Sequence, residues 1–259
     1  MREEKLTIGS NYLFGGYNWR VLDVQDGMAL LLSENVLEKR GYHEPNVEIT
    51  LENMMTSHSL NQYLKKGITW ENSTLRQYLN NEFYNKFSSK EKTQIAETRL
   101  VNNNNPWYGT DGGNDTTDKI FLLSIEEVVK YFGDSGDLRN RKGWYFEDAD
   151  VDDDDILDDD EYILEDGEYV LKDGKGGYIN DNYNTNRIAK DTHGNASSWR
   201  LRSPGCRSDD VADVADDGPL DIKGFVMYAD LVGVRPALWL IIDETLKKEN
   251  GKRSTRKTR

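Results

Sequence analysis

The chain of 259 residues contains a single cysteine, Cys206. That excludes an internal disulfide framework and any zinc site built from several thiolates. Histidine is nearly as scarce, with His43, His58 and His193 the only three. Basic residues are outnumbered, 33 Lys and Arg against 47 Asp and Glu, for a formal charge of −14. Such a balance argues against nucleic acid as a partner of the main body. No apolar run approaches the roughly 20 residues of a membrane-crossing helix, so no membrane span is expected. The N-terminal stretch "MREEKLTIGSNYLFGG" has no apolar signal-peptide centre. As the chain stands, a cytoplasmic location is expected. A fragment of a longer secreted protein would read the same way.

What is abundant is aromatic. Six Trp, fourteen Tyr and seven Phe furnish a core of the kind found in β-rich, turn-rich folds. "YNWRVLDVQDGMALLLSEN" (17–35) reads as a β-hairpin that turns at Asp26-Gly27. "WENSTLRQYLNNEFYNKF" (70–87) reads as a helix capped by Asn72 or Ser73, with Leu75, Tyr78, Leu79 and Phe83 on one stripe. Ser88 and Glu91 form a capping box that opens a second short helix. Ser124 and Glu127 form another at a strand-to-helix junction, and Gly133 ends that helix. The closing run "VGVRPALWLII" (232–242) fits a central strand. Residues 243–259 are basic and polar, as in a disordered tail.

Composition changes abruptly in between. Residues 147–185 hold sixteen acidic side chains and two basic ones, so the whole formal charge of −14 sits there. The stretch reads as an acidic insertion with small hairpins at its Asp-Gly pairs, set into a neutral single domain spanning 1–242. Taking Asp150 as position 1 of a calcium loop, Asp152, Asp154, Asp158 and Glu161 fall at positions 3, 5, 9 and 12. Position 6 is Asp155 rather than the glycine that the sharp turn requires. A solvated acidic loop is the competing reading. Calcium is the one cofactor the sequence suggests.

Several pieces occur together in one order: "YNWRVLDV", "MALLLSE", "WENSTLRQYLNNEFYNKF", "DKIFLLSIEEV", "WRLRSPG" and "GVRPALWL". The set resembles an uncharacterised bacterial family of extracellular and phage-associated domains. That family looks like a branch of the C-type-lectin-like fold, the scaffold shared with formylglycine-generating enzymes. The resemblance implies an α+β domain with a two-helix N-terminal half, a mixed or antiparallel sheet and long loops. It implies no reaction, and fold alone would not supply one. Two features depart from it: members commonly show a second aromatic where Arg200 stands, and the acidic stretch has no counterpart.

The candidate residues divide into two sets. Trp19, Trp70, Arg76, Asp118, Trp199, Arg202 and Arg235 are expected to hold the fold. Arginine beside apolar strand residues serves as a structural fork, for which Asp118 is a candidate partner; anion binding is the alternative. Trp199 and Leu201 should face the core, and Arg200, alternating with them, should point off it. Arg200, Arg207, Asp209, Asp210, Asp213 and Tyr228 then make a charged and aromatic surface, with help from Trp107 and Tyr108 in the loop 102–118. Those two aromatics could instead plug that loop onto the domain. Cys206 reads as an incidental thiol after a turn rather than a nucleophile or copper ligand, since the related enzymes use a pair of thiols. No catalytic constellation is present. The expected function is therefore a non-catalytic module that presents polar loops to a protein or carbohydrate, and an uncharacterised enzyme on the same scaffold is the alternative.

Overall fold

The computed structural model describes residues 6–44, 67–141, 162–165, 168–171 and 176–243. Among the described residues the fold is mixed α+β, mostly sheet, with few helices and no closed barrel. The hairpin expected near the N-terminus forms from β2 (Tyr17–Gln25) and β3 (Met28–Ser33). Its turn residues Asp26 and Gly27 have φ of 49° and 72°. That is the left-handed pair a two-residue hairpin demands, hence the Asp-Gly sequence. β1 (Asn11–Phe14) adds on one side and β14 (Ala237–Ile241) on the other, giving the order β1-β2-β3-β14. The two ends of the described chain thus meet in one sheet. β14 is the last full strand of that sheet rather than a central one. Its free edge is covered by isolated bridges from Ile95 and Phe121.

A second, six-stranded sheet runs in the order β4-β13-β10-β11-β12-β9. Its strands are β4 (Glu38–Lys39), β9 (Tyr178–Ile179), β10 (Trp199–Pro204), β11 (Asp210–Val214), β12 (Leu220–Val226) and β13 (Gly233–Val234). β5 (Thr98–Leu100) pairs with β6 (Thr116–Asp118), and β7 (Tyr162–Glu165) with β8 (Glu168–Leu171). One contiguous hydrophobic cluster joins residues of both large sheets, from Phe14 to Leu240.

The helix expected over 70–87 is real but irregular. A 3₁₀ turn (Trp70–Asn72) leads to α1 (Thr74–Tyr78), then a widened π turn (Leu79–Phe83) and a closing 3₁₀ turn (Tyr84–Lys86). Ser73 is the cap, accepting from the Arg76 amide. Asn80 accounts for the widening. Its amide donates to the carbonyls of Arg76 and Ile120, and its oxygen accepts from the amides of Lys119 and Ile120, at 2.8–3.2 Å. The segment is thereby stitched to the chain after β6. Both capping boxes form, on α2 (Ser89–Lys92) and α3 (Ile125–Phe132). α4 (Asp137–Asn140) and α5 (Asn184–Arg187) are single turns.

Residues 176–185, the last part of the expected insertion, hold one acidic residue, Asp181, and pack into the body. Ile179 is fully buried and β9 pairs with β12. Asp181 receives the buried guanidinium of Arg187 at 3.0 Å. The proposed calcium-loop residues Asp150, Asp152, Asp154, Asp158 and Glu161 lie outside the described residues, as does the tail beyond Asp243. Among the described residues no helix is long and apolar enough to cross a membrane.

Candidate functional site

The six-stranded sheet shows a sharp change of chemistry between two adjacent rows. In one row Trp199, Val214, Leu220 and Ile179 face each other across β10, β11, β12 and β9, all fully buried in the core. In the next row stand Arg200, Asp213, Asp221 and Tyr178, again direct partners. Side chains of successive strand residues point to opposite faces, so the second row lies on the outer side of the sheet. That much the alternation of Trp199, Arg200 and Leu201 predicts.

The outer row is nevertheless not open surface, and the reading of Arg200 as a solvent-facing residue is corrected. Arg200 is fully buried. Its Nη2 donates to the carbonyls of Val226 and Ala229 at 2.9 and 2.8 Å, and Nη1 to that of Phe225 at 3.5 Å. The chain leaving β12 folds back over the row, and Arg200 clamps it. The same segment is held from its other side, where the amides of Tyr42 and His43 both donate to the Met227 carbonyl. Gly41 lets the two backbones approach, since a Cβ there would press on the Tyr228 carbonyl at 3.2 Å. The clamped segment exposes Phe225 and Tyr228 by nearly half and Leu231 by two thirds.

Asp213 and Asp221 are directly opposed carboxyls, both at least nine-tenths buried. Burial is the first cause that raises both above the ordinary carboxylate range. For Asp213 the facing Asp221 charge adds to the rise and Arg200 opposes it. Their donors differ. Asp221 accepts from the Gly224 amide at 2.9 Å and from the Tyr178 hydroxyl, whereas among the described residues no hydrogen bond reaches the Asp213 carboxyl. The pair therefore titrates as a unit in which Asp213 keeps its proton longer.

The remaining predicted residues gather at the β10–β11 turn. Asp210 is buried; it accepts from Arg207 Nε at 2.9 Å and from the Cys206 thiol at 3.5 Å. Arg207 also pairs with Asp209 at 3.3 Å. Burial, together with the Asp210 charge, pushes the Cys206 thiol up to about 12. A thiol held neutral in this way is a poor nucleophile and ligand. Trp107 is buried and plugs its loop: Nε1 donates to the Leu138 carbonyl, and Arg141 lies over its ring at 4.9 Å. Asn105 ties the same loop to the carbonyls of Pro204 and Ile222, each at 2.8 Å. Tyr108 is half-buried beside it. Trp107 thus belongs to the scaffold of the site.

The fold-holding set behaves as forks, with one partner reassigned. Asp118 binds neither Arg202 nor Arg235. It accepts from Trp70 Nε1 at 2.9 Å, Arg76 Nε at 2.7 Å and Thr116 Oγ1 at 2.7 Å. Arg202 donates to Glu127, to Asn102 and to the carbonyls of Leu122 and Val101. Arg235 donates to the Ser33 and Glu34 carbonyls and lies 4.9 Å above the Trp199 ring. Trp199 Nε1 donates to the Arg187 carbonyl and Trp19 Nε1 to that of Phe14. The sequence reading missed Asp221 and Tyr178. Asp221 was detectable, because it alternates with the core residues Leu220 and Ile222. Tyr178 was hidden because it was counted within the acidic stretch 147–185.

Among the described residues no three or more His, Cys, Asp or Glu side chains are grouped as a metal site. Compared with known proteins, residues 26–242 match a family described as a domain of unknown function, DUF6273, and the chain belongs to that family. No curated protein and no solved structure matches it.

Proposed function

We propose that this domain is a recognition module, whose six-stranded sheet serves as a rigid base for the segment Phe225–Leu231. One observation carries the reading: a fully buried arginine spends its donors on three carbonyls of that segment, while Phe225, Tyr228 and Leu231 stay exposed. Large apolar side chains on a pre-ordered loop lose little entropy on docking, which suits them to anchor a protein or carbohydrate ligand. The C-type-lectin-like identity of the scaffold and a phage- or surface-associated role belong to the same proposal and rest on the sequence resemblance. Any ligand found by a glycan array or a pull-down provides the test. Phe225→Ala and Tyr228→Ala should each weaken binding by about tenfold or more, as anchor residues do. The melting temperature should stay within about 2 °C of the parent, as surface changes leave it. Full affinity in both variants would move the site elsewhere.

A second reading, an uncharacterised enzyme, has its own observation. Two facing carboxyls of raised pKa are what proton-transfer chemistry requires. Metal analysis of the purified protein separates the two readings: stoichiometric copper, iron or zinc would favour the enzyme.

A further inference from the structure

Asp213 is a poorly accommodated charge-bearing group in the sheet. It is buried, its carboxyl receives no hydrogen bond from the described residues, and its direct partner on β12 is another carboxyl. Its direct partner on β10 is Arg200, the one cation opposite it, and that guanidinium is already engaged with the carbonyls of Phe225, Val226 and Ala229. The Arg200 Nε is buried without any partner. Among the described residues the charged and titratable groups acting on the pair are these. β10 supplies Arg200, and β11 supplies Asp210, which is occupied by Arg207 and Cys206. β12 supplies Asp221 and Lys223, and β9 supplies Tyr178, whose hydroxyl serves Asp221. Tyr42, packed from the segment before α1, acts on Arg200.

We propose that the Asp213–Asp221 pair is a proton-dependent latch on the segment 225–229: with one proton held between them the segment stays clamped, and with both ionised it is released. With Asp213 neutral, the row carries one negative charge on Asp221 and one positive charge on Arg200. Asp221 is served by its amide and hydroxyl donors, so Arg200 remains free to hold the loop. When Asp213 ionises, two like charges stand directly opposite each other in an antiparallel pair, which is destabilising. The nearest relief is Arg200, and turning it toward Asp213 strips donors from the carbonyls of Val226 and Ala229. The raised titration of both carboxyls puts this change near neutral pH rather than in acid.

The latch rests on the proposed recognition role for its purpose, but its test needs no ligand. Amide-exchange protection is measured over residues 224–229 of the full chain at pH 6 and pH 8.5, corrected for intrinsic exchange. The Met227 amide, bonded to the Asp209 carbonyl, and the Ala229 amide, bonded to that of Val226, are the reporters. Protection should fall about tenfold or more between the two pH values, following the linkage slope of one decade per proton per pH unit. In Asp213→Asn and Asp221→Asn it should stay level. Equal protection in the parent chain at both pH values would overturn the latch, and so would the same fall in both variants. If the variants do not fold, carboxyl NMR of the aspartate-labelled parent chain decides. An aspartate titrating above about pH 6, far from the ordinary 3.9, is expected, and its absence would overturn the proposal.

Discussion

Asp118 ties β6 to the segment Trp70–Arg76, 42 to 48 residues earlier in the chain. Its carboxylate, almost fully buried, accepts from Trp70 before α1, from Arg76 within α1 and from Thr116 in β6. Replacing it with alanine leaves the Trp70 indole N–H buried without an acceptor, which costs about 1–3 kcal/mol. It also removes the partner of Arg76, which is one quarter exposed and so recovers part of its solvation. The intact pair is mostly buried, and breaking such a pair from one side costs about 3–5 kcal/mol. Asp118→Ala is therefore expected to lose about 3–4 kcal/mol. Asp118→Asn keeps the shape and an acceptor for Trp70, so it should lose about half as much. Urea unfolding at pH 7, followed by tryptophan emission, measures this as a fall in midpoint at unchanged slope. A loss below about 1 kcal/mol in the alanine variant would show that the hub contributes little. Arg76→Ala in the Asp118→Ala background should then cost almost nothing more, because the two act as one unit.

Two further outcomes follow from the packing. Replacing residues 147–175 with a Gly/Ser linker should preserve cooperative unfolding, whereas extending the replacement to residue 185 should abolish it. The longer change removes β9, the buried Ile179 and the Asp181 carboxylate that pairs with Arg187; a melting curve of each variant distinguishes them. Stability should fall as pH rises through neutrality, because Asp213 and Asp221 titrate higher in the folded chain than in the unfolded one. The folded state then holds protons that the unfolded state has already lost, and each unit of pH weakens folding by about 1.4 kcal/mol per extra proton. The melting temperature should drop by about 5–10 °C from pH 6.5 to 8.5. Asp213→Asn should remove most of that drop, and a parent chain with no drop would refute the account.

Local chemistry in this chain was legible wherever a short pattern has a single geometric solution. Asp26-Gly27 made its turn, Ser88 and Ser124 capped their helices with Glu91 and Glu127, and the apolar run of β3 was buried. The irregular helix was not legible. Its π turn depends on Asn80 reaching Lys119 and Ile120, forty residues away, and no local periodicity encodes that contact. Asp118 was recognised as a fork residue but assigned to the wrong arginines. An Asp beside a strand end has no preference among Arg76, Arg202 and Arg235 until the chain brings one of them near.

Arg200 shows why the site itself was only half legible. Alternation along β10 correctly turned its side chain away from Trp199 and Leu201. Alternation says which face a residue takes, and it is silent about what covers that face. The cover here comes from residues 225–229, which return over the sheet and present backbone carbonyls rather than side chains. Carbonyls are invisible in sequence because every residue has one. The same blindness hid the pairing of Asp213 with Asp221, where each carboxylate alone reads as solvated surface. Two features together would have exposed it: "DVADV" and "LDIKG" both place an aspartate between core residues at strand spacing. Adjacent antiparallel strands of that kind must set their outward residues side by side. When both outward residues are acidic and a loop closes over them, the charge can persist only with a proton or a cation. This row supplies one arginine for two carboxylates, and that imbalance is what makes it responsive to pH.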